Sequence, residues 1–182
     1  MKRLAAAATI LAACAARAAA QEAPPLPADR PVTWNVAAGY GFSVRLNGGR
    51  SEERLLLFEP GVSVRLGDRL EYVAEAHLAH YFQPAGYMVG VMPLGLRYFV
   101  GNGRVLPYAS IGAGGGWTDL KELDEIDRRF NFLLQGGVGV RGQLSDGRAW
   151  TFEARLSHYS NAHTVLPNLG LNTIVFLGGF RF

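Results

Sequence analysis

The chain has 182 residues, 23 glycines and a formal net charge of +3. The length suits one domain, and the many glycines and aromatic residues, with no apolar run of 18 or more residues beyond the N-terminal segment, argue against a helical membrane protein. The positive charge resides in that N-terminal segment, so the composition gives no reason to expect nucleic-acid binding.

The N-terminal segment 1–20 predicts a secretory signal peptide. Two basic residues, Lys2 and Arg3, precede the mostly apolar run 4–13, and the alanines at 18–20 form a small-residue cleavage site. Cleavage at this point removes three basic residues and leaves 15 basic and 15 acidic ones, so the formal charge falls to zero. The mature chain would also contain no cysteine and therefore no disulfide.

An alternative reading of the same segment is a lipoprotein cleavage box over 11–14, which would leave Cys14 acylated at the new N-terminus. Because Cys14 is the only cysteine, the mass of the mature protein distinguishes the two. The next segment, 21–31 (QEAPPLPADRP), is proline-rich and polar and predicts a short periplasmic leader without regular structure. The remaining residues, 32–182, form the predicted folded domain.

From Trp34 onward the sequence alternates between apolar and polar residues. Val36, Tyr40 and Phe42 fall on one face and Asn35 on the other, as expected of a strand between lipid and a polar lumen. The pattern recurs and predicts eight strands, each long enough for the roughly 9 to 11 residues that a tilted strand needs to cross a bilayer. The predicted strands are 34–45, 54–66, 70–82, 88–99, 105–117, 129–144, 149–160 and 171–182.

The polar face of these strands predicts the contents of the lumen. Strict alternation is broken in one strand, where Val89 and Val91 share a face with Arg97, and 105–117 is glycine-rich and ambiguous. The interior of an eight-stranded barrel is just wide enough to be filled by side chains. The predicted lumen residues therefore form a hydrogen-bonded plug without a channel: Glu71, Glu75, His77, Arg97, Gln135, Arg141, Glu153 and Arg155.

The connections between the strands alternate in length. The tight turns GDR, GNGR and SDGR contain glycine, and they alternate with the longer NGGRSEE, TDLKELDEID and NAHTVLPNLG. Long loops of outer-membrane barrels face outward, and an even number of strands returns both termini to the periplasm. The second long loop contains four acidic residues, Glu122, Asp124, Glu125 and Asp127. Solvation by water explains them more simply than metal binding does, and nothing in the sequence implies a cofactor or a metal.

The C-terminal sequence FLGGFRF places Phe176, Phe180 and Phe182 on one face. This ending resembles the signal that the barrel-assembly machinery recognises in outer-membrane proteins. A soluble sandwich or lipocalin-like barrel would also alternate, but it leaves the terminal phenylalanines unexplained. We therefore predict an all-β protein, an eight-stranded antiparallel transmembrane β-barrel of the outer membrane.

One polar cluster, within LSHYSNAHTVLPNLGLN (156–172), falls on the predicted lipid face. Strand parity places His158 and Ser160 on this face with Cα atoms roughly 6 to 7 Å apart, close enough for the hydroxyl to meet the imidazole. Asn172, near the start of the next strand, lies beside them. A serine nucleophile, a histidine base and an amide that orients the histidine would thus converge. In the non-catalytic alternative, these polar groups simply occupy the headgroup zone.

The motif HYSNA, followed by PN and GLN, resembles the lipid A 3-O-deacylase (PagL) family of Gram-negative outer membranes, eight-stranded barrels that remove an ester-linked acyl chain from lipid A. The resemblance implies that Ser160 is the nucleophile and His158 its general base, with Asn161 and Asn168 as candidates for stabilising the oxyanion. The acidic residue that orients the histidine in this family is replaced here by Asn172, which offers no negative charge to the imidazolium.

The resemblance also implies a substrate and a location. The expected partners are lipid A or lipopolysaccharide and outer-membrane lipid, with the site facing the outer leaflet, where the ester lies just below the headgroups. The alternatives are a non-catalytic adhesin or structural barrel, a deacylase that has lost activity, and an esterase for another lipid such as a phospholipid. A homodimer is compatible with the sequence, and candidate acyl-contacting residues such as Leu156, Ile174 and Phe176 look like any barrel exterior.

Overall fold

A computed structural model describes residues 32–44, 46, 52–83, 85–120, 129–164, 166 and 168–182. The predicted signal peptide and leader, Cys14 and the acidic cluster of the second long loop lie outside the described residues. Among the described residues, no helix is long and apolar enough to cross a membrane.

The described strands form one closed antiparallel barrel. Each strand pairs with the next along the chain, and the last pairs with the first, so no strand edge is left open. The strands are β1 (Val32–Ser43), β2 (Arg54–Arg65), β3 (Leu70–Gln83), β4 (Ala85–Phe99), β5 (Val105–Thr118), β6 (Phe130–Gln143), β7 (Ala149–Ser160) and β8 (Leu171–Arg181). This arrangement confirms the predicted eight-stranded antiparallel barrel.

The two rims of the barrel differ in their connections. One, the short-turn rim, carries the turns 66–69, 100–104 and 144–148, and two glycines in these turns, Gly101 and Gly147, adopt φ values of 85° and 84°. Such left-handed backbone is easily reached only by glycine. The opposite, long-loop rim carries the remaining connections. One of these is short, because only Pro84 separates β3 from β4, and β4 begins three residues earlier than predicted.

The outer face of the barrel is apolar. Large side chains from every strand are exposed there, including Trp34 at 63% and Trp117 at 61% of their surface. Aromatic residues lie near both rims, as in the girdles of membrane barrels. Those near the short-turn rim are Trp34, Tyr98, Trp150 and Phe182, and those near the long-loop rim are Tyr40, Phe42, Tyr87, Trp117 and Phe130. A water-soluble barrel would bury such residues, so this surface favours the transmembrane alternative.

The interior has a charged layer and an apolar layer. The charged layer contains the predicted lumen residues, with ion pairs of 2.6 Å between Arg97 and Glu75 and between Arg141 and Glu71. The apolar layer lies toward the long-loop rim and was not predicted from alternation. It contains Leu55, Leu57, Tyr81, Leu133, Tyr159 and Leu171, all buried. The barrel is therefore filled by its own side chains, part ionic and part hydrophobic.

A β-bulge in β4 explains the irregular alternation of that strand. Its pairing with β5 shifts register between Val91 and Leu94, so the side chains change face. Val91 and Leu94 both point outward, with 57% and 66% of their surface exposed, whereas Arg97 is buried in the interior. Strict alternation would place Val91 and Arg97 on one face, but a bulge adds a residue that period-two counting does not detect, so Val91 points outward while Arg97 lies in the lumen, as predicted.

Candidate active site

His158 and Asn172 meet on the outer face of the barrel. They are directly opposite each other in the β7–β8 ladder, and His158 Nδ1 lies 2.8 Å from Asn172 Oδ1. An amide oxygen only accepts hydrogen bonds, so with the amide oxygen assigned toward the ring, Nδ1 carries the imidazole proton. Nε2 then keeps its lone pair and can accept a proton from a hydroxyl.

Ser160 ends β7 on the same face as His158. The two alternate with Ser157 and Tyr159, which are buried in the interior, as strand parity predicts. Within the described part of the chain the Ser160 hydroxyl makes no hydrogen bond, so it does not bond His158 in this structure. Hydrogen bonds between a nucleophile and its base are often long without substrate and tighten when substrate binds.

The loop between β7 and β8 brings the two predicted oxyanion residues together. The backbone N–H of Asn161 donates to Asn168 Oδ1 at 3.0 Å, and Asn168 Nδ2 lies 3.3 Å from Nδ1 of His163. Thr164 Oγ1 also donates to the carbonyl oxygen of Asn161 at 2.8 Å. In this structure Asn168 therefore closes the loop over the end of β7.

The loop re-enters β8 through Gly170, a residue to which sequence reasoning assigned no role. Its φ is 73°, and a Cβ added to it would lie 2.3 Å from Cε1 of His158. The imidazole thus packs directly on the glycine backbone. The signal was present in the GLN motif, but alternation carries no information about which backbone a side chain touches.

Apolar surface lies on both sides of the histidine. On the β6 side, His158 and Ser160 are opposite Leu134 and Phe132, and the Phe132 ring packs 5.5 Å from Phe130. On the far side of Asn172, the Phe176 ring lies near those of two neighbouring strands. These are Phe42 at 6.4 Å and Phe152 at 6.5 Å between ring centroids. A polar pair set in an apolar surface suits a substrate whose reacting group joins a polar head to a hydrocarbon chain.

No acid reaches the histidine from the same strand. Glu153 faces the interior, where it accepts hydrogen bonds from Arg155 at 2.8 Å, Tyr108 at 2.8 Å and Ser110 at 2.7 Å. Among the described residues, Asn172 is therefore the side chain that is hydrogen-bonded to His158. In the described ranges there is no cluster of three or more His, Cys, Asp or Glu residues that could hold a metal ion.

The family model for Lipid A 3-O-deacylase (PagL) matches residues 28–181, which includes the whole barrel. The chain belongs to this family. No curated protein sequence gives a significant match. Membership, together with the closed barrel and its apolar exterior, makes the protein an outer-membrane β-barrel of the lipid A deacylase type.

Solved structures agree on the fold. The outer membrane enzyme PagL is similar with a TM-score of 0.62 and 17% identity, over 80% of this chain and 97% of that one. Neisserial surface protein A gives 0.58 and 14% over 83% and 96%. The N-terminal barrel domain of Pseudomonas aeruginosa OprF gives 0.53 and 16% over 84% and 98%. At these identities the likeness concerns the barrel.

Family membership leaves the departure at position 172 in place. The resemblance implies an acidic residue at this position, whereas this chain has an amide. The amide oxygen nevertheless lies within hydrogen-bonding distance of the imidazole. Asn172 is 7% exposed, so its bond to His158 is shielded from water. Shielding strengthens a hydrogen bond, and it also makes a charge at this position more costly than it would be in water.

Proposed function

We propose that the protein hydrolyses the ester-linked 3-O-acyl chain of lipid A by a serine-histidine mechanism, without a metal or a cofactor. The observation that carries this proposal is the 2.8 Å bond between His158 Nδ1 and Asn172 Oδ1 on the lipid-facing side of a barrel of this family. A histidine fixed in this tautomer presents Nε2 as a base, and Ser160 follows it by two residues on the same face.

In the first half of the reaction, Ser160 Oγ attacks the ester carbonyl carbon of the substrate while His158 Nε2 takes the hydroxyl proton. A tetrahedral oxyanion forms. When it collapses, the bond to the sugar oxygen breaks and the imidazolium gives its proton to that oxygen. The 3-hydroxyl of lipid A is released, and the fatty acid remains esterified to Ser160.

In the second half, water replaces the sugar hydroxyl. His158 Nε2 takes a proton from the water, the resulting hydroxide attacks the acyl carbonyl, and a second oxyanion collapses by breaking the bond to Ser160 Oγ. The imidazolium returns its proton to the serine, and the free fatty acid leaves. Asn172 stays hydrogen-bonded to Nδ1 throughout and keeps the ring from turning.

The oxyanion needs donors, for which Asn161 and Asn168 are the proposed sources. Asn168 Nδ2 has two hydrogens, and the contact with His163 occupies only one of them. Asn161 directly follows Ser160 at the same rim, is 1% exposed, and already donates its backbone N–H to Asn168 Oδ1, so its side-chain amide is the proposed donor. Each such donor would contribute about 2.7 to 4 kcal/mol to transition-state stabilisation.

The position of Ser160 in the barrel wall suits an ester near the headgroups. It lies level with Phe132, next to the aromatic pair formed by Trp117 and Phe130, whose ring centroids are 5.0 Å apart. Aromatic belts of membrane proteins sit at the water interface, and the long loops of outer-membrane barrels face outward. We therefore place the site at the outer leaflet, where lipid A reaches it by lateral diffusion.

The test of the proposed function is the mass of lipid A after expression of the protein in a Gram-negative host whose lipid A carries 3-O-acyl chains. We expect lipid A lighter by one 3-hydroxyacyl group and an equal amount of released fatty acid. Incubating the purified protein with a phospholipid tests the alternative that the protein is an esterase for another lipid. Unchanged lipid A, with the folded barrel present in the outer membrane, would contradict the proposal and favour a non-catalytic barrel or a deacylase that has lost activity.

Replacing Asn172 with an acid should accelerate hydrolysis. Asn172→Asp keeps the shape of the side chain, and Asn172→Glu restores the acidic residue that the family resemblance expects. A carboxylate stabilises the imidazolium that forms during the reaction by about 1 to 2 kcal/mol more than an amide does. We therefore expect kcat to rise about tenfold. Initial rates with lipid A measure this. If neither variant exceeds the wild type while both remain folded, the missing charge does not limit the enzyme.

A further inference from the structure

Gly170 touches the ring of His158 in a way that no other residue type would allow. A Cβ at this position would lie 2.3 Å from Cε1, 3.1 Å from Nε2 and 3.2 Å from Nδ1 of the imidazole. A contact of 2.3 Å is shorter than real Cβ contacts, so any side chain would force the ring or the backbone to move. The imidazole therefore packs against the backbone of Gly170 through Cε1, the ring carbon between its two nitrogens.

Two contacts thus determine the position and orientation of the imidazole ring. Asn172 holds it through Nδ1, and Gly170, two residues earlier in the chain, limits how far the ring can move toward the re-entering loop. A single hydrogen bond leaves a ring able to swing about it. A hydrogen bond and a steric stop together fix its direction, and with it the direction of the Nε2 lone pair.

The backbone at Gly170 is held from both sides. Its φ of 73° lies in the left-handed region, and Tyr159 pairs with Leu171 immediately after it. On the loop side, the bond between Asn161 N–H and Asn168 Oδ1 draws the segment before Gly170 toward the end of β7. The glycine therefore cannot retreat from the imidazole without breaking the last ladder pair or the loop contact.

We infer that Gly170 is a positioning residue of the hydrolytic site, which sets the orientation of His158 by direct backbone contact with its ring. This inference rests on the proposed function, because it assigns the orientation of the proposed base. Gly170 touches no substrate; it acts through His158. A displaced ring would carry Nε2 away from Ser160, and misplacement of a catalytic group by about 1 Å can reduce a rate by about 10²-fold.

Two substitutions separate the contact from backbone strain. Gly170→Ala adds a Cβ and also strains the left-handed backbone, whereas Gly170→Asn adds the same Cβ with a residue that tolerates positive φ. The chain offers a control for each effect. Gly178 lies on β8 with no atom near an added Cβ, and Gly101 has a φ of 85° and equally open surroundings. The controls are therefore Gly178→Ala and Gly101→Asn.

The measurements are kcat and KM for lipid A, and the imidazole ¹⁵N resonances of His158 in the folded barrel. We expect Gly170→Ala and Gly170→Asn to lower kcat by about 10²-fold with little change in KM, and to shift the ¹⁵N resonances. Both controls should leave kcat and the resonances as in the wild type. A loss of stability alone would lower the folded fraction, which is scored separately by electrophoretic mobility with and without heating.

A folded Gly170→Asn variant with wild-type kcat and unshifted His158 resonances would overturn the inference. If the wild type itself fails to hydrolyse lipid A, the proposed function fails, but the ¹⁵N comparison still decides whether Gly170 orients His158. Shifted resonances in Gly170→Asn and unshifted ones in Gly101→Asn would then support the positioning role in a barrel of other function.

Discussion

Ser160→Ala should leave lipid A at its original mass. The variant removes the atom that forms the acyl-enzyme, and losing the serine nucleophile of a serine hydrolase lowers kcat by about 10⁶-fold. We expect the barrel to fold as before, because the Ser160 hydroxyl makes no hydrogen bond within the described part of the chain and lies on the outer face. Mass spectra of lipid A from hosts expressing wild type and variant give the comparison.

Ser157→Ala is the matched control for this experiment. Ser157 lies on the same strand, three residues earlier, but its side chain is fully buried in the interior, and its Oγ has no hydrogen-bond partner among the described residues. Its loss should leave deacylation unchanged. Equal product from wild type and Ser160→Ala would rule out Ser160 as the nucleophile, and loss of product in both serine variants would indicate damage to the barrel.

Arg155→Met should cause the largest loss of stability of any single substitution considered for this barrel. Arg155 Nη1 donates to Glu59 at 2.7 Å, to Glu75 at 3.3 Å and to Gln135 at 2.7 Å, and its Nε donates to Glu153 at 2.8 Å. These residues lie on β2, β3, β6 and β7, so one guanidinium links strands across the lumen. Removing it leaves buried carboxylates without their shared counter-charge, at a cost of about 3 to 5 kcal/mol.

Unfolding by denaturant from detergent micelles measures this change in the free energy of unfolding. The control is Arg148→Met, because Arg148 pairs with Asp146 in an exposed turn, where an ion pair contributes little. A triple variant that adds Glu59→Gln and Glu153→Gln to Arg155→Met should recover much of the loss, since it removes two of the stranded charges. If Arg155→Met unfolds at the wild-type denaturant concentration, the interior network does not stabilise the barrel.

Alternation of polar and apolar residues correctly predicts most of the charged side chains that face the lumen. Glu75, Arg141 and Arg155 were assigned to the lumen from period two alone, and all three are buried there. The assignment succeeds because a strand between lipid and a closed interior has only two faces, and a charge in lipid is far too costly. It failed locally in β4, where the bulge after Val91 lets Val89 and Val91 point outward although Arg97 lies in the lumen, as predicted. The apolar layer around Leu133 was not predicted, because a residue that faces the lumen needs only to fill space and can be apolar.

The features of the candidate site also fall into those predicted from the sequence and those visible only in the structure. The sequence placed His158, Ser160 and Asn172 on one face and beside one another, because parity and a ten-residue connection between the two strands leave few other registers. Only the tertiary structure decided that the amide oxygen of Asn172 meets Nδ1, that Asn168 closes the loop onto Asn161, and that Gly170 supports the imidazole. Those contacts depend on loop backbone dihedrals and side-chain rotamers. A pattern of polar and apolar residues determines which way a side chain points, and the packed chain determines what it touches.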